Sequence, residues 1–225
     1  MKTTKHENMQ IIVINSQKGG SAKTMLAKHL SVEAERAGDG PVFLIDTDPQ
    51  GSLTAWHTKR ESEAPQRVEL PFEGLEKGLD LLRHHGASYC LIDTASGRVD
   101  VAKELFKLAD FVVFPVQPSE DDLTAAPKTV HALKAAGVPF VFVLTRVKPG
   151  TLITAQAAAI LSKHGEVAET FVNDRTGYKS PYPKGQTVTE AEPRGPAAKE
   201  IAALWANIKT CLHASMQERK ERAHG

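Results

Sequence analysis

The sequence predicts an α/β fold in which a doubly wound, mostly parallel sheet is flanked by helices. Short apolar runs rich in Val, Ile, Leu and Phe alternate with longer stretches of helical pattern along the chain. These runs are nearly continuous, which is typical of strands buried on both faces of a parallel sheet. A loop with glycines and lysines separates the first strand from the first helix, where open α/β sheets bind their ligands.

The apolar runs are predicted as seven strands, with helices in the gaps between them. In chain order the strands are QIIVIN (10–15), PVFLID (41–46), RVEL (67–70), SYCLID (88–93), DFVVFPV (110–116), PFVFVLT (139–145) and VAETFV (167–172). The predicted helices cover about residues 23–37, 51–61, 72–85, 98–108, 119–136, 151–163 and 197–217. Strand–helix–strand units of this kind are joined by right-handed crossovers, which build a layered sheet.

Residues 173–196 break this alternation because they are rich in Gly, Pro and polar residues. We predict a long surface connection with one helical turn, which is either functional or a tolerated insertion.

Length and composition indicate a soluble globular protein, and we expect a single domain over residues 1–225. The formal net charge of +1 points to no class of partner. No apolar run is long enough to span a membrane, and the first ten residues lack the apolar core of a signal peptide. Cys90 and Cys211 lack metal-ligand spacing, so we expect a reducing, cytoplasmic setting.

The stretch KGGSAKT (18–24) has the features of a phosphate-binding loop. Gly19 and Gly20 let the backbone approach an anion, and the helix that follows offers unpaired N–H groups. Lys23 can reach terminal phosphates, and the Thr24 hydroxyl can bind Mg²⁺. Ala22 replaces the last glycine of the common pattern, which is tolerable if its backbone is near-helical. A chance Gly-Gly turn is the alternative, and the strand–loop–helix context disfavours it.

Two further strands are predicted to end in carboxylates. In FLIDTDPQ (43–50), Asp46 and Asp48 can orient water or hold the hydration shell of Mg²⁺. The alternative is an Asx-turn followed by a helix N-cap, with Pro49 at the helix start. In YCLIDTASG (89–97), a buried strand ends in Asp93, which can bind Mg²⁺.

These motifs resemble those of the ParA/MinD-type ATPases. KGGSAKT is similar to the family's deviant Walker A motif, Lys-Gly-Gly-X-Gly-Lys-Thr, and DTDPQ to its Asp-X-Asp-Pro-Gln motif. The run LIDT has the Walker B form. The resemblance spans roughly residues 10–205 and implies a P-loop NTPase-like fold, with one deviant Walker A ATPase domain over 1–225 and a basic C-terminal tail at about 217–225.

The resemblance also implies a role for each site residue. Lys18 would contact the ATP of a second subunit, Lys23 would act in its own subunit, and Asp48 would position the attacking water. The implied catalytic residues are thus Lys18, Lys23 and Asp48, and the implied magnesium site is Thr24, Asp46 and Asp93. The nucleotide-binding set is Lys18, Gly19, Gly20, Ser21, Ala22, Lys23, Thr24, Met25, Thr145 and Arg146.

Three later segments extend the resemblance. The run DTASG (93–97) lacks the two prolines that usually follow Asp-Thr in the family, and its Ser96 and Gly97 would form a switch-like turn near the γ-phosphate. In VVFPVQPSEDDLTA (112–125), a dimer face near the nucleotide would include Pro115, Gln117, Pro118 and Ser119, and Ser119 is also a typical helix start. VLTRV (143–147) would approach the adenine, where Arg146 either stacks on the base or pairs with a core carboxylate.

The function that follows is an ATP-dependent, dimerising ATPase of plasmid or chromosome partition. It would use ATP and Mg²⁺, hydrolyse ATP slowly to ADP and phosphate, and be stimulated by a ParB-like centromere-binding partner. The ATP-bound homodimer would bind DNA without sequence preference and associate with the nucleoid in the cytoplasm. Residues 184–225 hold seven Lys/Arg and five Asp/Glu, a net +2, which is either a weak DNA-binding region or a solvated tail. The candidate residues are Lys199, Lys209, Arg219, Lys220 and Arg222.

Two other classes of function remain open. The first is a MinD-like ATPase that positions a protein cargo or acts at a membrane surface. Its membrane-binding feature would be the apolar stripe Ile201, Leu204, Trp205, Ile208, Leu212 and Met216, which more commonly faces a core. The Asp-Pro-Gln continuation favours ParA, so we do not expect membrane contact. The second is a dethiobiotin- or cobyrinic-type ligase or an Fe–S carrier, although the cysteines supply no carrier site.

Overall fold

A single sheet of short parallel strands forms the centre of the molecule. The computed structural model describes residues 9–180 and 182–224, except for the side chains of residues 222–224. The strands are β1 Gln10–Ile14, β2 Val42–Asp46, β3 Gln66–Arg67, β4 Tyr89–Asp93, β5 Phe111–Val116, β6 Phe140–Val147, β7 Glu166–Val167 and β8 Val172–Asn173. Their order is β3-β2-β4-β1-β5-β6-β7. The remaining strand, β8, pairs with the later residues of β6, after those that pair with β7. Every pairing in the sheet is parallel.

Helices cover both faces of this sheet. They are α1 Lys23–Arg36, α2 Ser52–His57, α3 Leu75–His84, α4 Val99–Leu108, α5 Glu120–Ala136, α6 Leu152–Leu161, α7 Val188–Ala191 and α8 Pro196–His224. One core cluster packs α3, α4, α5 and α6 against one face. A second packs α1, α2, α7 and α8 against the other. The predicted doubly wound α/β fold is therefore confirmed.

Some predicted elements are shorter than expected. The predicted strand 167–172 is two short strands, β7 and β8, because the chain leaves the sheet between them. There the Glu169 N–H donates to the side chain of Asn207 on α8, at 3.0 Å, rather than to a strand. The predicted strand 67–70 is reduced to β3, and α2 ends at His57 instead of residue 61.

The predicted surface connection 173–196 is an ordered segment that packs against the rest of the fold. It contains two 3₁₀ turns, Thr176–Lys179 and Pro183–Gly185, and the short helix α7. Arg60, whose side chain is 2% exposed, donates to both carboxylate oxygens of Glu190 at 2.8 and 3.1 Å. Because Glu190 also caps the start of α7 through Thr187, this ion pair joins the end of α2 to the segment.

The apolar stripe of α8 faces the core, as the commoner interpretation of such a stripe predicts. Ile201, Leu204, Trp205, Ile208 and Leu212 are each at most 2% exposed and pack in the second core cluster. This stripe is therefore not a membrane-facing surface in this structure. Within residues 9–180 and 182–224, no helix combines the length and apolar character needed to cross a bilayer.

The end of α8 lies at the amino-terminal end of the strands. Arg219 donates to the carbonyl of Gly137 at 2.6 Å, and Gly137 ends α5 just before β6 begins. Lys209 forms a 2.6 Å ion pair with Asp39, in the turn that precedes β2. The predicted DNA-binding residues on the second half of α8 thus lie at the opposite end of the sheet from the loop 18–24.

Candidate nucleotide-binding site

The phosphate-binding loop connects β1 to α1 at the carboxyl ends of the strands. It is fastened to the loop that follows β4, because the Gly97 N–H donates to the Gln17 carbonyl at 3.0 Å. Asn15 at the end of β1 donates to the Thr94 hydroxyl at 3.0 Å, and that hydroxyl donates to the Ile14 carbonyl at 2.8 Å. These bonds make one rigid unit of the two loops, although the sequence motifs did not identify Asn15 or Thr94 as part of the site.

Ala22 has a left-handed backbone, with φ 78° and ψ 20°, where it caps α1. The condition for a tolerable alanine at this position, a near-helical backbone, is therefore met only in the left-handed sense, which a Cβ disfavours. A residue with a Cβ in this region carries a cost of about 1–2 kcal/mol, which glycine avoids. Ala22 is thus a strained position inside the phosphate-binding loop.

Glycine in place of Ala22 should stabilise the protein by about 0.5–1 kcal/mol, since relief of the strain exceeds the added entropy of the unfolded chain. Urea unfolding measures this change. Ala37→Gly is the matched control, because Ala37 is exposed, ends the same helix and has an ordinary φ of −73°. Ala37→Gly should not stabilise. Equal effects of the two substitutions would contradict the assignment of strain to Ala22.

Lys23 is held inside the site, with 6% exposure. Its ammonium donates to the Ser96 hydroxyl at 2.6 Å and to the Lys18 carbonyl at 3.2 Å. Burial lowers its pKa, while the negative charges of Asp93 and Asp48 act in the opposite direction. The structure therefore places a desolvated cation where the phosphate-binding loop needs one.

Thr24 and Asp93 meet at the start of α1. The Thr24 hydroxyl donates to Oδ2 of Asp93 at 2.6 Å. Oδ1 of Asp93 is buried and has no hydrogen-bond partner among the described residues. Burial raises the pKa of Asp93 to about 7; the Thr24 hydrogen bond opposes this shift, and the charge of Asp46 adds to it.

This pair of residues fits a magnesium ion. A divalent cation beside Asp93 would satisfy its orphaned oxygen and offset the cost of burying a carboxylate. The described residues contain no cluster of three or more His, Cys, Asp or Glu suited to a metal. That is compatible with Mg²⁺, which is usually held by one or two carboxylates, substrate phosphates and water.

Asp46 is the last residue of β2, and Asp48 lies in the loop between β2 and α2. Asp46 accepts from the N–H and hydroxyl of Thr54, both at 2.9 Å, and from the Asp48 N–H at 3.1 Å. Asp48 accepts from the Gln50 N–H at 3.0 Å through Oδ1. The Asx-turn alternative is thus present, but α2 begins after Gly51 rather than at Pro49. The negative charges of both carboxylates raise the pKa of Asp93, so they lie near that carboxyl group.

Lys18 contacts α5 of its own chain. Its ammonium lies 2.8 Å from Oδ2 of Asp121 and 3.6 Å from Oδ1 of Asp122. The hydrogen bond with Asp121 raises the pKa of Lys18 and lowers that of Asp121. The side chain remains 37% exposed, and contact with a second subunit stays a prediction.

The prediction that Ser119, in the loop after β5, starts a helix is confirmed. The Ser119 hydroxyl accepts from the Asp122 N–H at 3.3 Å and caps α5. Gln117 reaches back to the phosphate-binding loop, where its side chain donates to the Gly20 carbonyl at 3.0 Å. A place for this segment at a dimer face stays a prediction.

Thr145 and Arg146 differ in what they can contact. Thr145 is fully buried beneath the loop and donates to the Ser21 carbonyl at 3.2 Å. Arg146 is exposed, and its guanidinium approaches Gly20 over the loop. Arg146 forms no ion pair within the described part of the chain, which disfavours pairing with a core carboxylate. Contact of either residue with a base stays a prediction, as does contact by Met25, which packs on the second core cluster.

Sequence comparison assigns the family that this geometry suggests. A family model described as the CobQ/CobB/MinD/ParA nucleotide binding domain matches residues 12–188. The chain belongs to this family. The CobQ/CobB/MinD/ParA match covers the last three residues of β1, every later strand of the sheet and every candidate site residue from Lys18 to Arg146.

Three curated relatives match over 82–92% of their own length. The "Maintenance of carboxysome distribution protein A" of Gloeobacter kilaueensis is 30% identical over 204 residues, which is 88% of this chain and 92% of the relative. The protein of the same name from Halothiobacillus neapolitanus is 25% identical over 84% of this chain and 91% of the relative. "Protein ParA" of Rhizobium radiobacter is 23% identical over 76% and 82%.

Solved structures share the fold. Apo McdA of Cyanothece superposes with a TM-score of 0.72 at 17% identity, covering 91% of this chain and all of that one. MinD of Aquifex aeolicus gives 0.71 at 18% identity, over 89% and 97%. The ParA/MinD family comprises ATPases, and its solved structures include an ATP complex and a Mg-ADP complex.

Proposed function

We propose that this protein is a partition or positioning ATPase that binds ATP with Mg²⁺, dimerises and hydrolyses ATP slowly. The observation that carries this proposal is the contact of Thr24 with Asp93 beside the buried Lys23. A hydroxyl, an orphaned carboxylate oxygen and a desolvated ammonium at the carboxyl end of β1 and β4 suit a Mg²⁺-phosphate group.

The chain's own residues account for the chemical step. Lys23 would exchange Ser96 and the Lys18 carbonyl for phosphate oxygens, and Thr24 and Asp93 would hold Mg²⁺. Bound there, the ion would neutralise phosphate charge. Oδ2 of Asp48 accepts no hydrogen bond within the described part of the chain, so it is available to orient the attacking water.

Lys18 would complete the site in a dimer. To contact the nucleotide of a second copy, its ammonium must leave Asp121 and Asp122 on α5. The contact with Asp121 is largely solvent-exposed, and such pairs are weak, so the exchange is feasible. A second cation at the transferred phosphoryl group would add charge stabilisation in the transition state.

Two kinds of cargo suit such an ATPase. Partition of a plasmid or chromosome, with a ParB-like centromere-binding partner that stimulates hydrolysis, is supported by the likeness to Protein ParA. Positioning of a protein assembly is the second candidate, because two relatives are named for carboxysome distribution. A fluorescent fusion that co-localises with plasmid foci or with a protein assembly would distinguish them. With either cargo, the proposed location is the cytoplasm, and DNA binding would hold the protein at the nucleoid.

DNA binding in the ATP state belongs to the same proposal. Lys209 is a weaker candidate than the sequence suggested, because Asp39 neutralises it. Lys199 near the start of α8 and the exposed Arg219 near its end retain the role, with Lys220 next to Arg219. Arg222 lies on α8 as well, although its side chain falls outside the described residues.

A mobility shift on unrelated DNA fragments should show binding with ATP but neither with ADP nor without nucleotide. A dimer doubles the number of phosphate contacts, so binding should weaken steeply with salt. Simultaneous Arg219→Ala, Lys220→Ala and Arg222→Ala should reduce affinity about tenfold or more.

The matched control changes the acids of the same tail. Glu218→Gln with Glu221→Gln keeps the helix and raises the local net charge, so it should tighten DNA binding. Equal binding in all nucleotide states, or none in any, would remove DNA as a partner.

A further inference from the structure

Arg98 lies at the end of the loop that follows Asp93, directly before α4. It lines a cavity of about 400 Å³ beside the carboxyl ends of β2 and β4. The cavity is also lined by Asp46 and Asp48 and by apolar residues such as Leu70 and Val101. Of the described residues that line this cavity, Arg98 is the one cation.

The guanidinium of Arg98 is uncommitted. The cavity holds three carboxylates, those of Asp46, Asp48 and Glu73. Even so, the Arg98 side chain forms no ion pair or hydrogen bond within residues 9–180 and 182–224. A planar guanidinium with five donors matches phosphate oxygens better than an ammonium does. An exposed arginine that shares this cavity with Asp48 is thus placed for a ligand that carries its own negative charge.

The loop that carries Arg98 touches the phosphate-binding loop at two points. The Gly97 N–H bonds to the Gln17 carbonyl at 3.0 Å, and the Ser96 hydroxyl accepts from Lys23 at 2.6 Å. The residue next to Arg98 is therefore fixed relative to the site of the phosphates. When Lys23 transfers to a phosphate, Ser96 loses its partner, so the position of Arg98 is linked to nucleotide binding.

We propose that Arg98 is a catalytic residue of ATP hydrolysis, whose guanidinium binds the γ-phosphate oxygens in the transition state. This inference rests on the proposed ATPase function. The oxygen of a water molecule bonds to the γ-phosphorus while the bond to the β–γ bridging oxygen breaks. The bridging oxygen leaves on ADP with the electron pair, and the protons of the water pass to phosphate and solvent.

Arg98 takes no proton in this step, because a guanidinium stays protonated. Its contribution is stabilisation of the charge that spreads over the phosphoryl oxygens. That role predicts a loss of rate without a loss of ground-state binding.

Arg98→Ala should lower the single-turnover rate of ATP hydrolysis about 100-fold and change ATP affinity less than about threefold. Arg98→Lys should hydrolyse ATP faster than Arg98→Ala but more slowly than the unsubstituted protein. Lysine supplies the positive charge but lacks the planar set of N–H donors of a guanidinium. The matched control is Arg194→Ala, which removes an exposed arginine from the turn before α8 and should leave the rate unchanged.

A binding measurement gives an independent readout. Mg²⁺, ADP and aluminium fluoride mimic the transferred phosphoryl group, so the unsubstituted protein should bind this mixture more tightly than ADP alone. Arg98→Ala should lose that difference and keep its affinity for ADP. Wild-type rate and wild-type trapping in Arg98→Ala would overturn the inference, and so would an equal loss of ADP binding and rate. Absence of hydrolysis in the unsubstituted protein would overturn the proposed function as well.

Discussion

Alanine in place of Lys23 should abolish measurable ATP binding, with a loss of affinity of about 100-fold or more. The buried ammonium is desolvated and aimed into the loop, and a charge-assisted hydrogen bond in such a site contributes about 1.5–3 kcal/mol. If Lys23 bonds two phosphates, its replacement by alanine removes more than one such hydrogen bond. Calorimetric titration with ATP measures the effect directly.

Two variants separate this loss from misfolding. Lys23→Met keeps the apolar stem of the side chain and should fold normally while still failing to bind ATP. Lys103→Ala removes an exposed lysine from α4 with the same change of charge, and it should bind ATP as the unsubstituted protein does. Unchanged affinity in Lys23→Ala would remove Lys23 from the phosphate site and with it the basis of the proposed function.

Lys18→Ala and Asp48→Ala should fail at different stages. Lys18→Ala should bind ATP but stay monomeric, because the cation that would contact the second subunit is gone. Asp48→Ala should bind ATP and dimerise, yet hydrolyse it about 100-fold more slowly, because the water is no longer oriented. Sedimentation velocity with ATP, run beside a phosphate-release assay, distinguishes monomer from stalled dimer.

Asp48→Asn is the control for the Asp48→Ala variant. Its side-chain oxygen can still accept from the Gln50 N–H, so the turn is kept while the negative charge is lost. It should resemble Asp48→Ala in rate and the unsubstituted protein in stability. A dimeric Lys18→Ala together with a monomeric Asp48→Ala would mean that the two roles are reversed.

The order of strands and loops was well predicted because buried parallel strands have a strong local pattern. Continuous apolar runs identified β1 and β4, and parallel neighbours end at the same edge of a sheet. That rule is enough to expect Thr24 near Asp93, although they are separated by 69 positions in the chain. The chemistry of the site follows from residue type at those strand ends.

Other features depend on contacts that no local pattern encodes. The pairing of Arg60 with Glu190 spans 130 positions, and that of Lys209 with Asp39 spans 170. Each is decided by how helices pack across the sheet rather than by propensity. The left-handed backbone of Ala22 was missed for a related reason, since tertiary contacts of the loop override the preference of alanine for a right-handed backbone.

Arg98 illustrates what sequence reasoning could have found. The run DTASGRVD puts a cation five residues after the predicted magnesium ligand Asp93, just before a helix. Nothing in that spacing says which way the side chain points. Only the cavity that it shares with Asp48 distinguishes it from an ordinary surface arginine.

The end of α8 has a consequence for the proposed dimer, if that dimer binds DNA. Lys18 belongs to one pole of the molecule, while Arg219 contacts Gly137 at the other. If two copies meet face to face over their nucleotides, their basic tails point away from each other at the far ends of the assembly. Such a dimer would bind two separate DNA duplexes, one at each end, and hold them together rather than bind one duplex with both tails. The turbidity of a mixture of this protein with long DNA should then rise when ATP is added. A protein that binds one duplex at a time would leave the solution clear.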